Sequence, residues 1–382
     1  MRYLILILVL VPILAVAETT GFVLLRSEVI STPQAQVTET EWRHTDASGQ
    51  AIGLHRYHST GKTLIATLFY LPGTNMNGVL KTADSDHNLW LYLAERGVEV
   101  YAMDYRTRFI PHDFSGDLAL MRDWSMDLFV EDAVMAVSKV QEEQPFLPMY
   151  IAGFSRGASF AYALAGQVKA AGLVALDGSF KRQPYKPFDI GAALQRYDEE
   201  ARYASALSRR GYDARTEMMR RVVSNPASSA MNDRYQTSGD QLADTLYQAW
   251  GPGVLTNTRS SITPIDILAS EMLGYDWFYP TIQDIEGRSI ASQQDDPNTY
   301  IDDHFGEMTM PVLYFGSGGF GAESLLSGIH SAARSGSDDV TINVLEDYGH
   351  LDVLFASDAP VEVYEVIYEW ILRHQTPKPV LQ

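Results

Sequence analysis

Residues 148–157, "PMYIAGFSRG", set Ser155 between Gly153 and Gly157 at the end of an apolar run. The pattern G-x-S-x-G does chemistry when a strand, a sharp turn and a helix lift the serine oxygen above the sheet. Here "PMYIAGFS" reads as a buried strand and "ASFAYALAGQV" as the helix that follows, so that setting is expected. Small residues on both sides of Ser155 let strand and helix approach one another. The chemistry implied is nucleophilic attack by the Ser155 hydroxyl.

A serine hydroxyl needs a base to take its proton. His350 in "EDYGHLDVLF" follows the last expected strand and is the candidate base. His55 and His58 fall in an early strand, and His304 in "IDDHFGE" falls in a different part of the chain. Asp302, Asp303 and His304 read as a solvated acidic turn in preference to a metal site, so no metal and no cofactor is expected. A developing oxyanion needs backbone N–H donors, one after the nucleophile and one from an earlier loop. Arg156 supplies the first position. Thr74 in "LPGTNMNG" supplies the second, because Gly73 lets the backbone come close; the Asn75 side chain is a weaker candidate.

The acid that orients the histidine is harder to place. Its commonest position follows the strand "PVLYFGS", yet the chain continues "GSGGFGAES" without an aspartate. Asp177 ends the strand "GLVALDG" at the same sheet edge and is the first choice. Glu323, at the start of the following helix, is the alternative acid. Asp352 is two residues from His350 and suits bracing of that loop.

The elements that must position these residues alternate. "AIGLHRYHS", "TLIATLFYLPG" and "VEVYAMDYR" read as strands from their β-branched and aromatic content. "HNLWLYLAERG" reads as a helix stopped at Gly97, and Met126, Val130, Ala133, Val134 and Val137 recur at helical spacing. The preceding "STPQAQVTETEW" reads as a polar stretch. Strands alternating with helices predict an α/β fold, a mostly parallel sheet covered on both faces. The alternation breaks between Gly178 and about Met310, where an insertion rich in Arg, Tyr, Ser and Asp reads as a largely helical cap. Its aromatics, Trp250, Tyr275, Trp277, Phe278 and Tyr279, could form an apolar substrate pocket or the cap's own core.

These residues resemble the α/β-hydrolase superfamily over roughly residues 50–178 and 310–375. The stretch "GHLDVLFASDAPVEVYEVIYEWI" is similar to the acid (gastric and lysosomal) lipase family, as are "LAERGVEVYAMDYRTR" and "WSMDLFVEDAV". The resemblance implies a serine esterase or lipase with a cap between the sixth and seventh strands, Ser155 as nucleophile and His350 as base. Two departures stand out. That family's His-Gly oxyanion loop is Pro72-Gly73 here, and its G-G-x-D acid segment is Gly318-Gly319-Phe320-Gly321.

The 382 residues suit one large α/β domain with an insertion. With 48 acidic against 29 basic residues, the net charge of −19 argues against nucleic acid as a partner. The start, "MRYLILILVLVPILAVAE", reads as an export signal cleaved after Ala17, its apolar run being shorter than the about 20 residues of a spanning helix. An uncleaved anchor is the alternative. Cleavage removes Arg2 and takes the charge to −19 − 1 = −20. The chain has no cysteine, which fits a bacterial periplasmic or secreted protein without disulfides. The division expected is a signal over 1–17, core over 18–178, cap over 179–309 and core over 310–382. The function expected is an exported serine hydrolase acting on a small-molecule or lipid ester. The alternatives are an amide, peptide or lactone hydrolase, or a binding protein on a hydrolase scaffold.

Overall fold

The segments richest in apolar residues become central strands, and the amphipathic ones become the helices that cover them. A computed structural model describes residues 21–206, 209–250, 262–292 and 300–375. The first half runs β1 (Val23–Ser31), β2 (Gln36–Thr45), β3 (Ala51–Ser59), β4 (Ala66–Leu71), α1 (Leu89–Ala94), β5 (Val98–Asp104), α2 (Met126–Glu143), β6 (Met149–Phe154), α3 (Arg156–Ala165) and β7 (Gly172–Leu176). The insertion follows, with α4 (Ile190–Glu200), β8 (Ala204–Ala206), α5 (Arg209–Ser224), α6 (Ser238–Trp250), α7 (Ile265–Leu273), β9 (Phe278–Pro280) and α8 (Thr281–Ser292). The chain returns to the sheet with β10 (Val312–Ser317), α9 (Ala322–Ala333), β11 (Val340–Leu345), α10 (Asp352–Phe355) and α11 (Glu365–Arg373). The expected signal over 1–17 lies outside the described residues. Among the described residues no helix is long and apolar enough to cross a membrane.

Nine strands form one sheet in the order β1-β2-β3-β5-β4-β6-β7-β10-β11. The pairs from β1 to β5 are antiparallel, and all pairs from β5 to β11 are parallel. Every residue of β4, β5, β6, β7 and β10 is buried, as a sheet covered on both faces requires. Alternation along β6 sends Tyr150, Ala152 and Phe154 into one core half with Trp90 and Trp370, and Met149 and Ile151 into the other with Phe129 and Phe160. Each such large side chain contributes about 1.5–3 kcal/mol by its burial. Ser125 caps α2 by accepting a hydrogen bond from the Leu128 N–H at 3.1 Å.

The stretch that reads as polar is in fact β2, and β1 pairs with it from outside. Its register is held by charge as well as by apolar contact. Arg26 reaches Glu41 at 2.6 Å and Glu39 at 3.2 Å across the pair, and the buried His55 of β3 lies 3.0 Å from both Glu39 and Asp104. Burial opposes a charge on His55, but the two carboxylates outweigh it and push its pKa up to about 9. Counted along the chain with β1 and β2, the insertion falls between the seventh and eighth strands of the sheet, where the sixth and seventh were expected.

Candidate active site

The elbow after β6 is built by backbone contact. Ser155 has φ 56° and ψ −121°, a conformation that L-residues rarely adopt. A Cβ on Gly153 would lie 2.1 Å from the Gly157 carbonyl oxygen, and one on Gly157 would lie 2.0 Å from that of Leu71. Both positions therefore need glycine. The Ser155 N–H donates to the Leu176 carbonyl at 2.9 Å, tying the elbow to the end of β7.

The residue after Leu176 is Asp177, also in the left-handed region with φ 45°. The residue is 3% exposed, and its carboxylate meets three donors or ring atoms. Oδ2 lies 2.7 Å from His350 Nδ1 and accepts from the Ser317 hydroxyl at 2.5 Å, while Oδ1 accepts from the Ser317 N–H at 2.8 Å. Ser317 ends β10, the neighbour of β7, so adjacent parallel strands present acid and donor at one edge. Ser317 was not singled out from the sequence. A serine closing a strand before Gly318-Gly319 was the only signal.

The His350 ring stacks on Phe154 at 4.6 Å and on Phe320 at 3.9 Å with 13° between planes. Phe320 belongs to the segment that lacks the aspartate; it gives the imidazole a flat apolar neighbour instead of a carboxylate. Asp352 braces the loop, accepting from the Gly349 N–H at 2.8 Å and the Thr263 hydroxyl at 2.6 Å.

Glu323 does not reach His350. Its carboxylate is taken by Arg182 and Lys186, each at 2.6 Å, at the rim of the site. His58 faces Glu99 at 3.3 Å, and His304 Nε2 lies 2.8 Å from the Tyr162 carbonyl. Asp302 pairs with the buried Lys181 at 2.5 Å, so it braces the core beside β7.

The loop after β4 comes against the elbow: a Cβ on Gly73 would lie 3.1 Å from the Ser155 Cβ. Thr74 and Arg156 share one cavity of about 610 Å³ with Ser155. The Asn75 side chain points elsewhere, donating to the Asp276 carbonyl at 3.1 Å. The cap holds this loop through two further carboxylates. Asp276 accepts from Asn77 Nδ2 at 3.2 Å and from the Thr107 hydroxyl at 2.9 Å. Glu271 accepts from the N–H groups of Lys81 (2.8 Å) and Thr82 (3.0 Å). Burial, and for Asp276 also the nearby Asp104, pushes both pKa values up to about 7.

Of the described cap aromatics, Tyr275, Trp277 and Phe278 do not line the Ser155 cavity, and Tyr279 lies behind its wall against Thr74 and Arg156. Tyr275 packs on one core half, and Trp277 and Phe278 belong to the other; Tyr279 is buried. The side chain of Trp250 lies outside the described residues. The cavity's aromatic walls are Phe188 and Phe320.

A mostly parallel sheet with flanking helices and a strand–serine–helix elbow defines the α/β-hydrolase fold. The chain is similar to a candidate lipase from Sulfolobus solfataricus, 20% identical, with a TM-score of 0.68 over 91% of this chain and 99% of that one. It is also similar to a soluble variant of monoglyceride lipase from Saccharomyces cerevisiae in complex with a substrate analogue. That protein is 11% identical, with a TM-score of 0.52 over 91% of this chain and 98% of its own. No protein-family profile and no curated protein sequence matches the chain.

Proposed function

We propose that the protein is a serine hydrolase that cleaves carboxylic esters through an acyl-enzyme on Ser155. The observation that carries this reading is the 2.7 Å approach of His350 Nδ1 to Asp177 beside a strained serine elbow. Asp177 accepts a hydrogen bond from the Nδ1–H of His350 and so holds the tautomer whose Nε2 is free to act as base. His350 takes the Ser155 proton as Oγ bonds to the ester carbon, and the carbonyl electron pair moves onto oxygen. The N–H groups of Thr74 and Arg156 receive that oxyanion, each lowering the barrier by about 3–4 kcal/mol. Collapse breaks the bond to the alcohol, which leaves with the proton from His350. A water deprotonated by His350 then releases the acid and restores Ser155.

The likeness of the His350 segment to acid lipases supports the same base, and the lipases named above share the fold. We place the protein in an exported compartment on its leader-like first residues. Fluorophosphonate labelling tests the nucleophile: the wild type should label and Ser155→Ala should not. No label on the wild type, or equal label on both, would sink the scheme. Turnover of p-nitrophenyl esters but not of aminoacyl arylamides is expected; the reverse would move the reading to a peptidase.

A further inference from the structure

The cavity around Ser155 is lined by charged and hydroxyl side chains as well as by apolar ones, where an acyl-chain pocket would be mainly apolar. Four cations stand on its wall, Arg156, Arg182, Lys186 and Arg288, in a chain whose net charge is −19. Their pairing is incomplete. Asp284 matches Arg156 at 3.1 Å, and Glu323 alone serves both Arg182 and Lys186. Arg288 makes no ion pair among the described residues. Four cations against the three carboxylates Asp284, Glu323 and Asp177 leave one positive charge among the described residues, and Asp177 is already engaged by His350 and Ser317.

Arg288 is the best placed of the four to meet a ligand. It follows Gly287 on α8, where a Cβ would lie 1.8 Å from the Arg156 guanidinium, so Arg156 crosses the helix there and is held. Arg288 is exposed into the cavity, and it also lines a neighbouring space of about 660 Å³ together with Arg196. A positive wall inside an acidic protein is a local reversal that concentrates anions at the site. A guanidinium offers a planar pair of donors that matches a carboxylate.

We infer that the substrate is an ester that also carries a carboxylate, received by Arg288 while Ser155 attacks the ester carbon. This rests on the hydrolase reading and narrows it from esters in general to anionic ones. For an acyl chain the described wall offers Phe188 and Phe320 with the smaller Pro187 and Ala291, while Tyr275, Trp277 and Phe278 pack in the core.

Two matched pairs of esters test the inference. On the acyl side, p-nitrophenyl hydrogen adipate is compared with p-nitrophenyl hexanoate. On the alcohol side, 4-acetoxybenzoate is compared with phenyl acetate. In at least one pair the carboxylate member should have a kcat/KM about tenfold higher, which is a difference of about 1.4 kcal/mol. Arg288→Glu should abolish or invert that ratio and Arg288→Lys should keep most of it; because a ratio is read, a general loss of activity cancels. Equal or neutral-favouring ratios in both wild-type pairs, or an unchanged ratio in Arg288→Glu, overturn the inference. Binding is read separately through the thermal shift of Ser155→Ala with adipate. A rise in Tm that Arg288→Glu removes supports the anion site even if every ester is left intact, in which case the hydrolase reading fails alone. No rise in Tm overturns the anion site.

Discussion

Two regions of the molecule bury carboxylates and use them differently. At the sheet edge, Asp177 is surrounded by donors: two from Ser317 and the His350 ring. In the cap, Asp276 and Glu271 are also buried and accept hydrogen bonds, and burial pushes their pKa values up to about 7. Asp276 has another carboxylate, Asp104, close by, and Glu271 has backbone donors alone as its hydrogen-bond partners. Burial is common to both regions. The partner differs: Asp177 meets the His350 ring, whereas Asp276 and Glu271 meet groups of the segments that follow Thr74 and so latch the cap to them.

The comparison is tested most severely at Asp177. Asp177→Asn should lower kcat/KM for a p-nitrophenyl ester by about 10⁴-fold, because the imidazole loses its tautomer, whereas Glu323→Gln should change it less than tenfold. Equal losses in the two variants would remove the distinction between edge and rim. Ser317→Ala takes one donor from Asp177 and should cost about tenfold in kcat/KM, the size of one hydrogen bond to a charged group. Its pH–rate profile should shift as well; a loss of stability with an unmoved profile would make Ser317 a packing residue only.

The smallest effect is expected in the cap. The Asp276 pKa of about 7 stands above the ordinary 3.8, so between these values the folded protein keeps a proton that the unfolded chain has released. Stability from this group is therefore full below about pH 4, falls as pH rises to about 7, and is level above it. Glu271 acts in the same direction from 4.5 to about 7. Asp276→Asn keeps an acceptor for Asn77 and removes the charge. The fall in Tm from pH 5 to pH 8 should be shallower in the variant than in the wild type by a few degrees. An equal slope would mean that Asp276 does not titrate against folding.

Much of the Ser155 elbow was legible because its causes are local. Gly153 and Gly157 read as an elbow because an apolar strand precedes them and a helix follows, and the contacts at 2.1 and 2.0 Å exclude a side chain at both positions. The apolar runs of β4, β5, β6, β7 and β10 read as buried strands for the same reason. β1 and β2 did not, because Arg26, Glu39, Glu41 and His55 satisfy one another across strands, and only the pairing partner reveals that.

The chain alone thus pointed to the elbow at Ser155, the loop at Gly73 and the late histidine, each a matter of neighbours within a few residues. It left three carboxylates open for one role. Asp177 lies 173 residues from His350 along the chain, and Ser317 lies 140 residues from Asp177. Which acid meets the ring depends on β7 and β10 ending side by side, a consequence of strand order. The cationic wall has the same origin: Arg156, Arg182, Lys186 and Arg288 come from α3, the loop after β7 and α8, and their charges gather only when the cap closes over the sheet.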